Sequence, residues 1–180
     1  MGKGQYTYEY PRPMVTVDAV VFTVRDAQLE VLLIKRGNEP FKGMWAMPGG
    51  FVEMGEELDA AVARELEEET GVSGVPLEQF HTFGAVHRDP RGRVITVAYL
   101  GVADWRTCRP RGGDDATDAD WLPLAGLRRI ACDHNEVIAC AVERLRLLVR
   151  SSEGRMALLP ATLSLEELRR ALDGLPEAGA

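Results

Sequence analysis

The stretch from Gly49 to Val72, GGFVEMGEELDAAVARELEEETGV, constrains this chain more than any other. It reads as a strand end, a tight glycine turn and a helix of roughly three and a half turns, with Gly71 as the left-handed stop. On that helix Glu65, Glu68 and Glu69 stand at i, i+3 and i+4, so three carboxylates share one side of the cylinder. Helix stability does not ask for this, because like charges at such spacings repel. Two readings follow. One is a solvated acidic face. The other is a seat for a hard divalent cation, which prefers carboxylate oxygens and keeps waters it can share with substrate phosphates. Leu58, Val62 and Leu66 recur every four residues and form the stripe that fastens the helix to a sheet. Arg64, four residues before Glu68, places a guanidinium beside the acidic cluster, where it is expected to orient glutamates, with Glu56 a further candidate.

The wider pattern is Gly50, five residues, Glu56, seven residues, Arg64-Glu65-Leu66, one residue, Glu68-Glu69, one residue, Gly71-Val72. It resembles the complete signature of the Nudix hydrolases. The resemblance implies an α/β fold, an α/β/α sandwich with a mixed β-sheet, and Mg²⁺- or Mn²⁺-dependent hydrolysis of a nucleoside diphosphate linked to another group. It assigns the metal ligands to the Gly49 carbonyl, Glu65, Glu69 and Glu68, the last directly or through water, with more than one ion expected. Glu56 and Gly50 stand behind them, and Glu68 and Arg64 are catalytic candidates. In similar enzymes a carboxylate from a loop outside the signature deprotonates the attacking water, and Asp115 is the candidate here. The DPRGRV turn, the Asp114-Asp115-Ala116 loop and Asp133-His134 resemble the ADP-ribose pyrophosphatase-like branch, although Pro90 falls slightly beyond that branch's proline marker. ADP-ribose is thus preferred over dinucleoside polyphosphates, NADH and oxidised nucleoside triphosphates. A sensor that binds ADP-ribose without cleaving it is the alternative.

Composition narrows the classes. The chain has 180 residues, of which 46% are hydrophobic, enough for one ordinary core. No apolar run reaches membrane-spanning length, and a secretory leader pattern is missing, so the expectation is a cytoplasmic protein without a membrane partner. A net charge of −7 argues against nucleic acid as partner. Cys108, Cys132 and Cys140 form no CxxC pair and suit a reducing compartment.

Along the chain, residues 1–13 carry Tyr6, Tyr8 and Tyr10 before Pro11 and Pro13, as an edge strand, an arm against a second copy in a homodimer, or a tail. The main domain is expected over 14–150. Segments 14–24 and 29–36 read as paired strands, the second buried on both faces. Segments 78–89 and 93–104 read as two more, joined by the DPRG turn. Arg36, Arg88 and Arg93 are candidate diphosphate ligands. Residues 109–120 read as a polar acidic loop. Asp133 with Glu136 suggests a capping box, opening an amphipathic helix whose stripe runs from Val137 to Val149 and covers the second face of the sheet. Residues 151–180 read as a linker and a short helix capped by Ser164 and Glu167. This piece resembles the opening of the C-terminal DNA-binding module in Nudix-related transcriptional regulators, and is expected to act as a packing appendage.

Overall fold

The computed structural model describes residues 8–113, 115–151 and 157–175. Tyr6, Asp114, most of the expected linker and the final segment lie outside that range. Seven strands and three helices follow in the order β1 (Met14–Arg25), β2 (Gln28–Arg36), β3 (Trp45–Ala46), β4 (Gly49–Phe51), α1 (Leu58–Thr70), β5 (Leu77–Phe83), β6 (Val94–Val102), β7 (Ala116–Pro123), α2 (His134–Ser151) and α3 (Leu165–Asp173). The sheet runs β3-β2-β1-β6-β5, with β4 on β1 and β7 on β2. Strands β1 and β6 are parallel and every other pair is antiparallel, so the sheet is mixed.

The period-two alternation of a strand explains how apolar runs serve two cores. Val20 and Phe22 of β1, Leu29, Val31 and Leu33 of β2, and Leu100 of β6 face one side, where they meet Val137, Ala141 and Leu145 of α2. Val17, Ala19 and Val21, Leu32, and Val97 and Tyr99 face the other, against Ala61, Val62 and Leu66 of α1. The α1 stripe is therefore core, and each such fully buried side chain stabilises the fold by about 1.5–3 kcal/mol. The Tyr99 hydroxyl donates to Asp59 Oδ1 at 2.6 Å and ties the first turn of α1 to β6. Gly71 ends α1 with φ of 69°, in the left-handed region a glycine adopts most easily.

Several expectations are corrected. The strand expected over 78–89 stops at Phe83, because the chain then turns inward and buries Arg88 and Asp89. Of the expected loop 109–120, residues from Ala116 onward form β7, paired with β2 so that Asp120 lies opposite Leu33. Asp133 makes no capping box, since both its oxygens accept from Arg88 at 2.7 and 2.9 Å. Residues 8–13 form no strand, although Tyr10 is exposed. Ser164 and Glu167 do form the capping box at α3. That helix sends Leu168, Ala171 and Leu172 into the same core as α2. No helix among the described residues is long and apolar enough to cross a membrane.

Candidate active site

Residues Met47 to Phe51 cross the end of α1, and three backbone contacts fix their path. Pro48 O accepts from Ala19 N–H at 2.9 Å. Met47 N–H donates to Nδ1 of the buried His134 at 3.0 Å, and Gly49 N–H donates to Glu69 Oε2 at 2.9 Å. The diglycine is required by space. A Cβ on Gly49 would strike the Val17 carbonyl and the Asp18 side chain, and one on Gly50 would strike the Glu65 carboxylate.

Arg64 organises the acidic side. Its guanidinium donates to Glu56 Oε1 at 2.7 Å and Oε2 at 2.9 Å, to Glu65 Oε1 at 2.8 Å and to Glu68 Oε2 at 2.9 Å. One planar fork thus gathers three of the four signature glutamates. Hydrogen bonding to Arg64 holds the Glu56 carboxyl below its usual range. Burial pushes Glu65 up in spite of Arg64. Burial also pushes Glu69 up, to about 8, with Glu65 and Asp18 adding to the rise and the Gly49 N–H opposing it.

Gly49, Gly50, Arg64, Glu65, Glu68 and Glu69 line a cleft of about 620 Å³ together with Arg36, Asn38, Phe51, Glu53, Arg91 and Asp115. Asp115 reaches it because Gly37 N–H donates to its carbonyl and Asn38 Nδ2 to its Oδ1, both at 2.8 Å. Five carboxylates line the cleft, those of Glu53, Glu65, Glu68, Glu69 and Asp115, against the three guanidiniums of Arg36, Arg64 and Arg91. A diphosphate would meet net repulsion there unless cations entered with it. The donors fit a hard dication. They are carboxylate and carbonyl oxygens, the Glu65 carboxylate lies in the cradle left by Gly50, and Glu69 is buried with no cationic hydrogen-bond partner among the described residues. Among the described residues no three acidic, His or Cys side chains stand close enough to form a closed cage. Arg64 and the Gly49 N–H occupy the oxygens that would have to converge.

Of the sequence candidates, the cleft unites Gly49, Gly50, Arg64, Glu65, Glu68, Glu69, Asp115 and Arg36, with Glu56 behind Arg64. It does not include Arg88 or Arg93. Arg88 is buried, paired with Asp133 at 2.7 Å and 3.8 Å from Asp18. Arg93 donates to the carbonyls of Ala85 and Val94 at 3.4 Å. The loop arginine at the cleft is Arg91, held on Asp89 at 2.6 Å. The Asp-x-Arg spacing within DPRGR was the available signal for it, because an aspartate at a turn start organises the residue two positions on.

The NUDIX domain family model matches residues 14–140. The chain belongs to the Nudix family of pyrophosphohydrolases, and its fold is the Nudix fold. An ADP-ribose pyrophosphatase of Methanocaldococcus jannaschii is 40% identical over 72% of this chain and 73% of its own length. An ADPR-responsive transcriptional repressor of Acinetobacter baylyi, NtrR, is 34% identical over 89% of this chain, and the match spans 66% of the repressor. Among solved structures, the NUDIX domain of Shewanella oneidensis NrtR complexed with ADP-ribose superposes with a TM-score of 0.70. It is 40% identical and covers 76% of this chain and 90% of that one.

Proposed function

We propose that this protein is a Mg²⁺- or Mn²⁺-dependent pyrophosphohydrolase that cleaves ADP-ribose to AMP and ribose 5-phosphate. The observation that carries this reading is the cleft itself, where an intact set of signature glutamates meets a diglycine bend under one organising arginine. The ADP-ribose preference draws on the 40% identical archaeal pyrophosphatase and on the relative crystallised with ADP-ribose.

The Gly49 carbonyl, Glu65, Glu69 and Glu68 would hold the cations. Bound there, the cations neutralise diphosphate charge and make a coordinated water more acidic. The chain's own residues do the rest. Arg64 keeps Glu65 and Glu68 in place so that neither must reorganise during the reaction. Arg36 has its Nε on the Pro40 carbonyl at 2.9 Å, which aims its remaining N–H groups for a phosphate oxygen. Asp115, oriented by Asn38, takes a proton from the attacking water. The water oxygen forms a bond to one phosphorus as the bridging P–O bond breaks, and each product leaves as a monophosphate.

A sensor reading has its own support, since the match to the ADPR-responsive repressor extends well past the Nudix domain. A substrate panel separates the two. Purified protein is incubated with Mg²⁺ and ADP-ribose, NADH, dinucleoside polyphosphates or oxidised nucleoside triphosphates, and products are identified by mass. AMP with ribose 5-phosphate is the expected result. Turnover confined to triphosphates overturns the substrate, and Mg²⁺-dependent binding of ADP-ribose without cleavage favours the sensor.

A further inference from the structure

Phe51 is the one aromatic ring among the described residues that line the acidic cleft, and it is 41% exposed there. A large apolar side chain left open to solvent inside a charged cleft does little for the fold, whose cores lie on the two faces of the sheet. Its surroundings give it another use. The Arg91 guanidinium lies 4.9 Å from the ring centroid, within cation–π range.

Arg91 is not a loose side chain that happens to pass by. Its Nε reaches both Asp89 oxygens at 3.0 and 3.1 Å, its Nη2 reaches Oδ2 at 2.6 Å, and its own N–H donates to Oδ1 at 2.8 Å. Asp89 is itself buried, which anchors the fork. Phe51 is anchored from the other side, because β4 pairs with β1 and Phe51 stands opposite Thr16. Two flat groups carried by different elements are thus held together at the cleft, one residue past the diglycine.

We infer that Phe51 and Arg91 form the subsite for the aromatic base of the nucleotide, a flat π surface on which a purine stacks while the diphosphate lies over the glutamates. A sugar phosphate gains less from a phenyl ring than a base does, since the ring offers it no hydrogen bond and only a few C–H groups to pack. A base gains stacking on the ring and a cation–π contribution from the guanidinium. The cleft is thereby given a direction, with the nucleoside half of the substrate on the β4 side.

This inference rests on the nucleotide reading above, and its test is made on binding so that it does not depend on turnover. With Mg²⁺ present, AMP and ribose 5-phosphate are titrated into the wild type, Phe51→Ala, Phe51→Tyr and Arg91→Lys by calorimetry. The wild type is expected to hold AMP more tightly than ribose 5-phosphate. Phe51→Ala should weaken AMP about tenfold or more, given the usual contribution of base–aromatic stacking, and leave ribose 5-phosphate unchanged. Phe51→Tyr should restore AMP binding, and Arg91→Lys should weaken AMP several-fold. Equal weakening of both ligands in Phe51→Ala, no change in either, or a wild type that does not prefer AMP would each overturn the assignment. Failure of the substrate panel with an intact AMP preference would remove the hydrolytic reading and leave the subsite standing.

Discussion

Gly49 donates its backbone N–H to Glu69 Oε2 at 2.9 Å, so the diglycine bend and the last glutamate of the signature form one unit. The contact sets the bend against the end of α1 and orients a carboxylate that burial alone would disfavour in its charged form. Neighbouring Gly50 completes the unit by leaving space for Glu65. The signature is thus a packing solution as well as a set of donors.

Gly50→Ala tests that packing. Its methyl would overlap the Glu65 carboxylate, so either the bend or the glutamate must move. A shift of that order costs about 10²-fold in rate when it displaces reacting groups. Steady-state kinetics with ADP-ribose should show the loss mainly in kcat, with a circular dichroism spectrum like the wild type's.

Arg64→Lys keeps the charge and removes the fork. A lysine cannot reach Glu56, Glu65 and Glu68 together as Arg64 does. Losses of groups that orient metal ligands run to about 10–100-fold in metal affinity or activity. Titration with Mn²⁺ followed by electron paramagnetic resonance checks the first, and an unchanged affinity would deny Arg64 its organising part.

Arg88 is tied to Asp133 at 2.7 Å, and we expect it to behave as a structural residue. Removing Asp133 from the buried Arg88–Asp133 pair leaves Arg88 with only the more distant Asp18 as counter-charge, at a cost of up to about 3–5 kcal/mol. Asp133→Asn should therefore lower the urea midpoint strongly while KM for ADP-ribose holds. Arg88→Met combined with Asp133→Leu should recover part of the loss, because the pair is removed as a whole while Asp18, 3.8 Å from Arg88, loses its cationic neighbour. A large rise in KM with intact stability would return Arg88 to substrate binding.

His134 gives a pH dependence whose sign follows from its place. Burial pushes its imidazole below the ordinary 6.5, while Asp18 and Asp133 pull it up and Arg88 and Arg36 push it down. The folded protein holds it neutral while the unfolded chain takes up a proton below about 6.5, so stability falls as pH drops through that value. Thermal melts between pH 8 and pH 5 should show a steeper decline for the wild type than for His134→Gln. Parallel curves would contradict this.

The sequence made some of this legible and concealed the rest for physical reasons. The α1 stripe, the Gly71 stop and the position of Arg64 beside Glu65 and Glu68 follow from helical spacing, which is local and regular. Strand β7 was hidden because its buried positions, Ala116, Ala119 and Trp121, break strict alternation at a bulge and stand among aspartates, a pattern that reads as an acidic loop until β2 is present to pair with it. The arginines were sorted by a long-range event. Whether Arg88, Arg91 or Arg93 enters the cleft depends on Asp133 and Asp89, and Asp133 lies 45 residues from Arg88. Phe51 lies inside the signature but at one of its unspecified positions, so its exposure in the cleft could be seen only in the fold.

The most direct test of the account is a crystal soaked in Mn²⁺ and measured for anomalous scattering. The account predicts at least one peak in contact with Glu65 and Glu69, near the Gly49 carbonyl, which disappears in Glu69→Gln. A well-ordered crystal with no peak at those carboxylates, from protein that still cleaves ADP-ribose, would contradict it.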